Sequence, residues 1–171
     1  MKKLLITIFL MSGICSAQNV YFSVSTDIKN SVLGSDPTNN KPSFDGIFQF
    51  GMIGSVPNHK TVIESTISYE AFNRIRFNRY FFSVGVHLPI TENLTVIPSY
   101  ETSLIGRWGQ EWQNVSSHIA LLGGNIGVRY KINYHWSVEL NTGVLDRVDL
   151  NTRYGGRNIR ISEQFKVLYR L

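Results

Sequence analysis

Tyr80-Phe81-Phe82-Ser83-Val84-Gly85-Val86-His87-Leu88 alternates large apolar residues with small or polar ones. Tyr80, Phe82, Val84, Val86 and Leu88 fall on one face. Ser83, Gly85 and His87 fall on the other, with Phe81 as the exception. Residues two apart share a face only when the chain is extended, so this stretch predicts a β-strand with two unlike sides.

The same rule recurs on both sides of it. Downstream, Leu94, Val96, Pro98, Tyr100 and Leu104 oppose Thr95, Ser99, Glu101 and Ser103, with Ile97 out of step. Near 117–131, Ala120, Leu122, Ile126, Val128 and Tyr130 oppose Asn125, Gly127, Arg129 and Lys131. Trp136, Val138, Leu140 and Val144 oppose Ser137, Glu139, Asn141 and Gly143. The last segment sets Ile159, Ile161, Phe165, Val167, Tyr169 and Leu171 against Arg160, Ser162, Gln164, Lys166 and Arg170, with Glu163 on the apolar side. Upstream, three more segments lie near 20–28, 44–55 and 61–70, the last placing Glu64, Thr66, Ser68 and Glu70 together. Eight strands are thus expected, each long enough to cross a membrane core when tilted.

The linkers have their own rhythm. Val56–Lys60, Pro89–Asn93 and Ile132–His135 are tight, while Lys29–Ser43, Ile105–Ser116 and Asp146–Arg157 are longer. The linker near Phe72–Ile75 is short but falls where a long one belongs. Alternation of short and long connections is what a closed up-and-down barrel with both termini in the periplasm produces.

The polar faces decide which side meets solvent. They carry Ser, Thr, Asn and Gly together with charged residues, as the filled interior of a small membrane barrel requires; a soluble barrel would point its apolar face inward. Tyr130, Tyr134, Trp136 and Tyr169 are expected near the periplasmic rim. Tyr69, Phe72, Tyr100, Trp108 and Trp112 are expected near or above the outer rim, because amphipathic rings favour membrane interfaces.

The chain begins with Lys2 and Lys3, an apolar run Leu4–Met11 broken only by Thr7, and Cys15-Ser16-Ala17. This is the pattern of a secretory signal peptide cleaved after Ala17, leaving 18–171 as one barrel domain. Ile14 before Cys15 argues against lipoprotein acylation. Cleavage removes the single cysteine, so no disulfide framework is expected, and lowers the formal charge of +5 by two. The remaining charge does not call for a nucleic-acid partner.

Together these features resemble the small eight-stranded outer-membrane proteins of the OmpA transmembrane-domain and OmpX type, over Asn19–Leu171. The last strand, Phe165-x-Val167-x-Tyr169-x-Leu171, is similar to the family's closing strand, except that Leu171 stands where a terminal aromatic is usual. The Ser-Ala-Gln signal end is similar to those of Bacteroidetes-type bacteria. The resemblance implies an all-β, eight-stranded antiparallel up-and-down transmembrane barrel in the bacterial outer membrane. It implies contact with membrane lipid and lipopolysaccharide, insertion by the outer-membrane assembly machinery, and a monomer.

Two charged sets stand out. Glu64, Glu101 and Glu139 are expected to face Arg129, Arg160 and Lys166 across the lumen, because an unpaired charge there is costly. Arg74, Arg107, Arg147, Arg153 and Arg157, with Arg76, are expected near the outer side. There guanidinium forks suit the phosphates of lipopolysaccharide. No cofactor or metal is expected: His59, His87 and His118 lack metal-ligand spacing. His135-Trp136-Ser137 is similar to the His-x-Ser-Asn signature of lipid A deacylases but continues with Val138 and falls at the periplasmic rim. The reading is a non-enzymatic barrel serving envelope integrity or surface binding of an extracellular ligand through its loops. The alternatives are a narrow porin-like channel, a lipid A-modifying enzyme and a secreted soluble ligand-binding barrel.

Overall fold

The computed structural model describes residues 16–28, 31, 46–56, 59–72, 77–107, 119–146 and 159–171. They form eight antiparallel strands: β1 (Ser16–Asp27), β2 (Gly46–Ser55), β3 (Val62–Phe72), β4 (Phe77–Pro89), β5 (Leu94–Arg107), β6 (Ile119–Lys131), β7 (Trp136–Asp146) and β8 (Ile159–Arg170). Each pairs with its sequence neighbours, and β1 pairs with β8, so the sheet closes on itself. The seam runs from Tyr21 opposite Arg170 to Asp27 opposite Gln164, and the Leu171 amide donates to the Val20 carbonyl at 2.9 Å. β1 starts two residues ahead of the expected mature terminus; residues 1–15 lie outside the described residues.

Three tight turns lie at one end, beside both strand termini of the seam. Polar side chains close two of them. Thr91 Oγ1 accepts from the Asn93 and Leu94 amides at 3.3 and 3.0 Å, and Asn133 Oδ1 accepts from the His135 and Trp136 amides at 2.9 and 2.8 Å. Such side chains copy a backbone turn, which explains why short Thr- and Asn-bearing linkers suffice. The longer linkers all leave from the opposite end and, apart from Ile28 and Ser31, lie outside the described residues.

The two faces separate by parity. Outward positions carry Phe22, Phe48, Phe50, Ile67, Leu122, Ile126, Leu140, Val144 and Ile161, all exposed. Inward positions carry Ser23, Ser25, Gln49, Thr66, Ser68, Ser103 and the charged residues, all buried. This inverts the arrangement of a water-soluble protein. Phe81 and Ile97, out of step in the sequence, point inward and are each 5% exposed; with Ile47, Ile105, Leu145 and Leu168 they fill the interior between polar groups. Tyr100 corrects one expectation. It sits midway along β5, opposite Val84 and Gly124, and not at the outer rim. Trp108 and Trp112 lie outside the described residues.

Glycine is required where an inward side chain lies across its neighbour strand. Tyr21 faces Gly51, and a Cβ on Gly51 would run into the Tyr21 ring. Gly143 is covered in the same way by Asn125. Two ladders are irregular: β1 and β2 shift register between Ala17 and Asn19, and β4 and β5 pair at Gly85–Ser99 and again at Leu88–Val96, but not between. Pro98 lies in that gap and has no N–H to give.

Candidate functional site: the charged interior

Five of the six expected lumen residues have buried side chains that converge inside the barrel: Glu64, Glu101, Glu139, Arg129 and Lys166. Near the short-turn end, Arg129 is the hub. Its Nη1 and Nη2 donate to Glu64 at 2.7 and 2.9 Å, its Nε donates to Glu139 at 2.7 Å, and Nη2 lies 2.6 Å from the same Glu139 oxygen. Lys166 Nζ donates to the other Glu139 oxygen at 2.8 Å. Glu64 also takes the Tyr21 hydroxyl and, at 2.7 Å, His87 Nε2. Glu64 thus meets four donors, the full capacity of a carboxylate. With Glu64 ionised, the proton of His87 belongs on Nε2.

Glu101 joins a second cluster nearer the loop end. Arg79 Nε donates to Glu70 and its Nη1 to Glu101, both at 2.6 Å, and Asn125 Nδ2 donates to the second Glu101 oxygen at 3.2 Å. The Arg79 guanidinium lies 4.2 Å from the centre of the Phe81 ring. Buried charges are tolerated only when paired and saturated with hydrogen bonds, and both clusters meet that condition. Between them, Ser23 bonds Gln49 at 3.1 Å and Thr66 meets Ser83 at 2.6 Å. A cavity of about 20 Å³ is bounded by Glu64, Glu101, Glu139 and Lys166 among others. That is room for about one water.

Arg79 is the residue that sequence reading missed. The expected strand began at Tyr80, whereas β4 begins at Phe77; with that start, Arg79 shares the inward parity of Phe81 and Ser83. Glu70 and His87 were legible as inward but not as partners. Arg160 lies in β8 opposite Leu145 and Arg107 ends β5 opposite Phe77. Arg74, Arg76, Arg147, Arg153, Arg157 and His118 lie outside the described residues.

The deacylase-like run is not assembled as a site. His135 lies in the β6–β7 turn, where its Nδ1 is 3.1 Å from the Arg170 carbonyl and its ring stacks on Tyr169. Glu139 is held in the interior by Arg129 and Lys166. Among the described residues, no group of three or more His, Cys, Asp or Glu side chains could hold a metal ion.

A closed eight-stranded antiparallel barrel, apolar outside and ionic inside, is the fold of the small outer-membrane β-barrels. The chain is similar in structure to the Yersinia pestis outer-membrane protein Ail in a phospholipid nanodisc, with a TM-score of 0.57 and 10% identity over 90% of this chain and 99% of that one. Outer membrane protein H (OprH) from P. aeruginosa, in DHPC micelles, gives a TM-score of 0.49 and 17% identity over 90% of this chain and 99% of that one. The likeness to Ail concerns the fold alone. No protein-family profile and no curated protein sequence matches the chain.

Proposed function

We propose that the mature chain is a plugged, non-enzymatic barrel of the bacterial outer membrane. It would contribute to envelope integrity or to surface binding through the loops that join β1–β2, β3–β4, β5–β6 and β7–β8. The observation that carries this reading is the inversion of faces. An apolar outer surface running around a closed sheet matches lipid, and a closed sheet leaves no strand edge to satisfy there. The two ionic clusters and the apolar side chains beside them support a filled interior, so the loop end is the part available for specificity. The Arg74, Arg107, Arg147, Arg153 and Arg157 set is proposed to meet lipopolysaccharide phosphates. Unchanged lipopolysaccharide binding after joint replacement of Arg107 and Arg153 would remove that element. Delivery is proposed to begin with cleavage of 1–17 and to end with the assembly machinery recognising the last strand.

The test is fractionation of cells combined with surface proteolysis and heat-modifiable migration in detergent gels. Outer-membrane partition, a heat-dependent shift and cleavage confined to the loop end support the proposal. A mature chain that stays soluble without detergent overturns it.

A narrow channel is the second reading, favoured by the polar column between the two clusters. Planar-bilayer recording separates the two. Stable openings that disappear in Glu101→Gln support conduction, and silence supports the plug.

A further inference from the structure

Glu163 breaks the alternation of β8 in the sequence, and the fold leaves it on the apolar side. Ser162 and Gln164 turn inward, where they bond each other and Ser162 bonds Asp27. Glu163 is exposed on the outer face between Ile161 and Phe165, both exposed as well. Across the ladder it stands opposite Thr142 of β7, which is exposed between Leu140 and Val144. The row continues through Ile126 and Pro98. Glu163 lies six residues before Tyr169, the rim aromatic of its strand. In a strand tilted by about 40° that is about 15 Å of height, well inside an apolar band about 25 Å tall.

A carboxylate facing hydrocarbon is costly without a donor. Although they stand side by side, neither Glu163 nor Thr142 has a hydrogen bond or ion pair among the described residues. Towards β1 the ladder stops at Asp27 opposite Gln164, and Thr26, the outward hydroxyl at that end of β1, is engaged by Ser31 at 2.6 Å. The donor that Glu163 needs therefore comes from outside this barrel. An acceptor and a donor side by side on one face are self-complementary. A two-fold axis parallel to the barrel axis, passing between β7 and β8, sets each Glu163 against Thr142 of the partner subunit. Neighbouring positions in a tilted sheet differ in height by about 3 Å, which a glutamate side chain spans. The surface beside β7 is also low. Gly124 faces outward next to Tyr100 and Val144 and opens a groove walled by Ile126 and Val144, so a second barrel comes close.

We infer that the outer face of β7 and β8 is the interface of a homodimer in the membrane, held by two crossed Glu163–Thr142 hydrogen bonds. The pairing replaces the monomer that the family resemblance implies. The inference rests on the membrane-spanning reading above, since only lipid makes the unpaired carboxylate a liability.

The test measures energy transfer between two pools of the mature chain in phosphatidylcholine vesicles, over a range of protein-to-lipid ratios. Each pool carries one dye at Glu92→Cys, in an exposed short turn. The parent chain should dimerise. Glu163→Leu and Thr142→Val should each weaken self-association by about tenfold, the weight of two such hydrogen bonds in a membrane. Thr102→Val, in register with Phe82 and Leu122 on the outer face of β5, should leave it unchanged. Mixing the two weakened variants decides the geometry. The mixed pair keeps one Glu163–Thr142 contact, so it should associate more tightly than either variant with itself. A parent chain that stays monomeric at every ratio while giving the heat-dependent gel shift overturns the interface and leaves the membrane reading intact. A mixed pair no tighter than the variants alone, with the shift present, does the same. A mature chain that stays soluble and gives no shift overturns the membrane reading and the interface together.

Discussion

Arg129 on β6 and Glu64 on β3 are joined across the lumen by two hydrogen bonds of 2.7 and 2.9 Å. Their strands are not neighbours in the sheet, so the pair ties opposite walls rather than adjacent ones. Both side chains are buried, at 9% and 6% exposure, and each has further partners that complete its hydrogen bonding.

Breaking this strut should be expensive. Arg129→Met leaves Glu64 and Glu139 short of their main cation and is expected to cost about 3–5 kcal/mol. The double variant Glu64→Gln, Arg129→Met should recover part of that loss, because one orphaned carboxylate is removed with its partner. Urea unfolding of the vesicle-inserted barrel measures both. A neutral Arg129→Met would show that the cluster holds nothing together.

Two glycines should respond in opposite directions. At Gly51 an added methyl meets the Tyr21 ring, so Gly51→Ala has to displace a side chain that donates to Glu64. A loss of about 1–3 kcal/mol is expected. Gly124 points outward, and its added Cβ would meet nothing closer than the Ser99 carbonyl oxygen at 3.9 Å. Gly124→Ala should therefore be harmless or gain about 0.4–1 kcal/mol through the unfolded chain. The same unfolding measurement ranks them.

The outer face can be questioned directly. Ile126 is 53% exposed, midway along the barrel opposite Pro98 and Thr142. In lipid, Ile126→Arg should cost about 2–4 kcal/mol. Thr91→Arg, in a short turn, should stay within about 0.5 kcal/mol. Equal tolerance of both substitutions in vesicle-inserted protein would contradict an apolar surface facing lipid.

Phe81 supplies a fourth test. It is 5% exposed, lies beneath Arg79, and is flanked in register by Ser68 and Ser103. Phe81→Ala should cost about 3–5 kcal/mol, since the rigid sheet cannot collapse into the space. A loss below about 1 kcal/mol would mean that the interior repacks or fills with water.

The architecture was legible because alternation needs no partner: each strand declares its two faces alone. Glu64, Glu101, Glu139, Arg129 and Lys166 could be placed inward on parity. Who meets whom could not be read, because contacts across a lumen depend on register and stagger, which period-two patterning leaves open. Glu101 was paired in expectation with cations of β6 and β8, yet it meets Arg79, whose strand begins three residues earlier than its clearest alternation. The residues that broke the pattern, Phe81 and Ile97, carried information: a small barrel must fill its bore, and polar side chains alone do not. The tyrosine at position 100 shows the complementary limit, since aromatic character does not by itself give depth along a strand.

The seam between β1 and β8 has a consequence in time. Its partners, from Tyr21 with Arg170 to Asp27 with Gln164, come from opposite ends of the chain. Until β8 arrives, β1 and every partial sheet built on it present two unpaired edges, which lipid cannot satisfy and which other chains can capture. Contacts of such long sequence separation also form slowly. No early portion of this polypeptide can therefore reach its finished state ahead of the rest. The barrel has to stay open until β8 is in place, and that strand decides when the sheet closes.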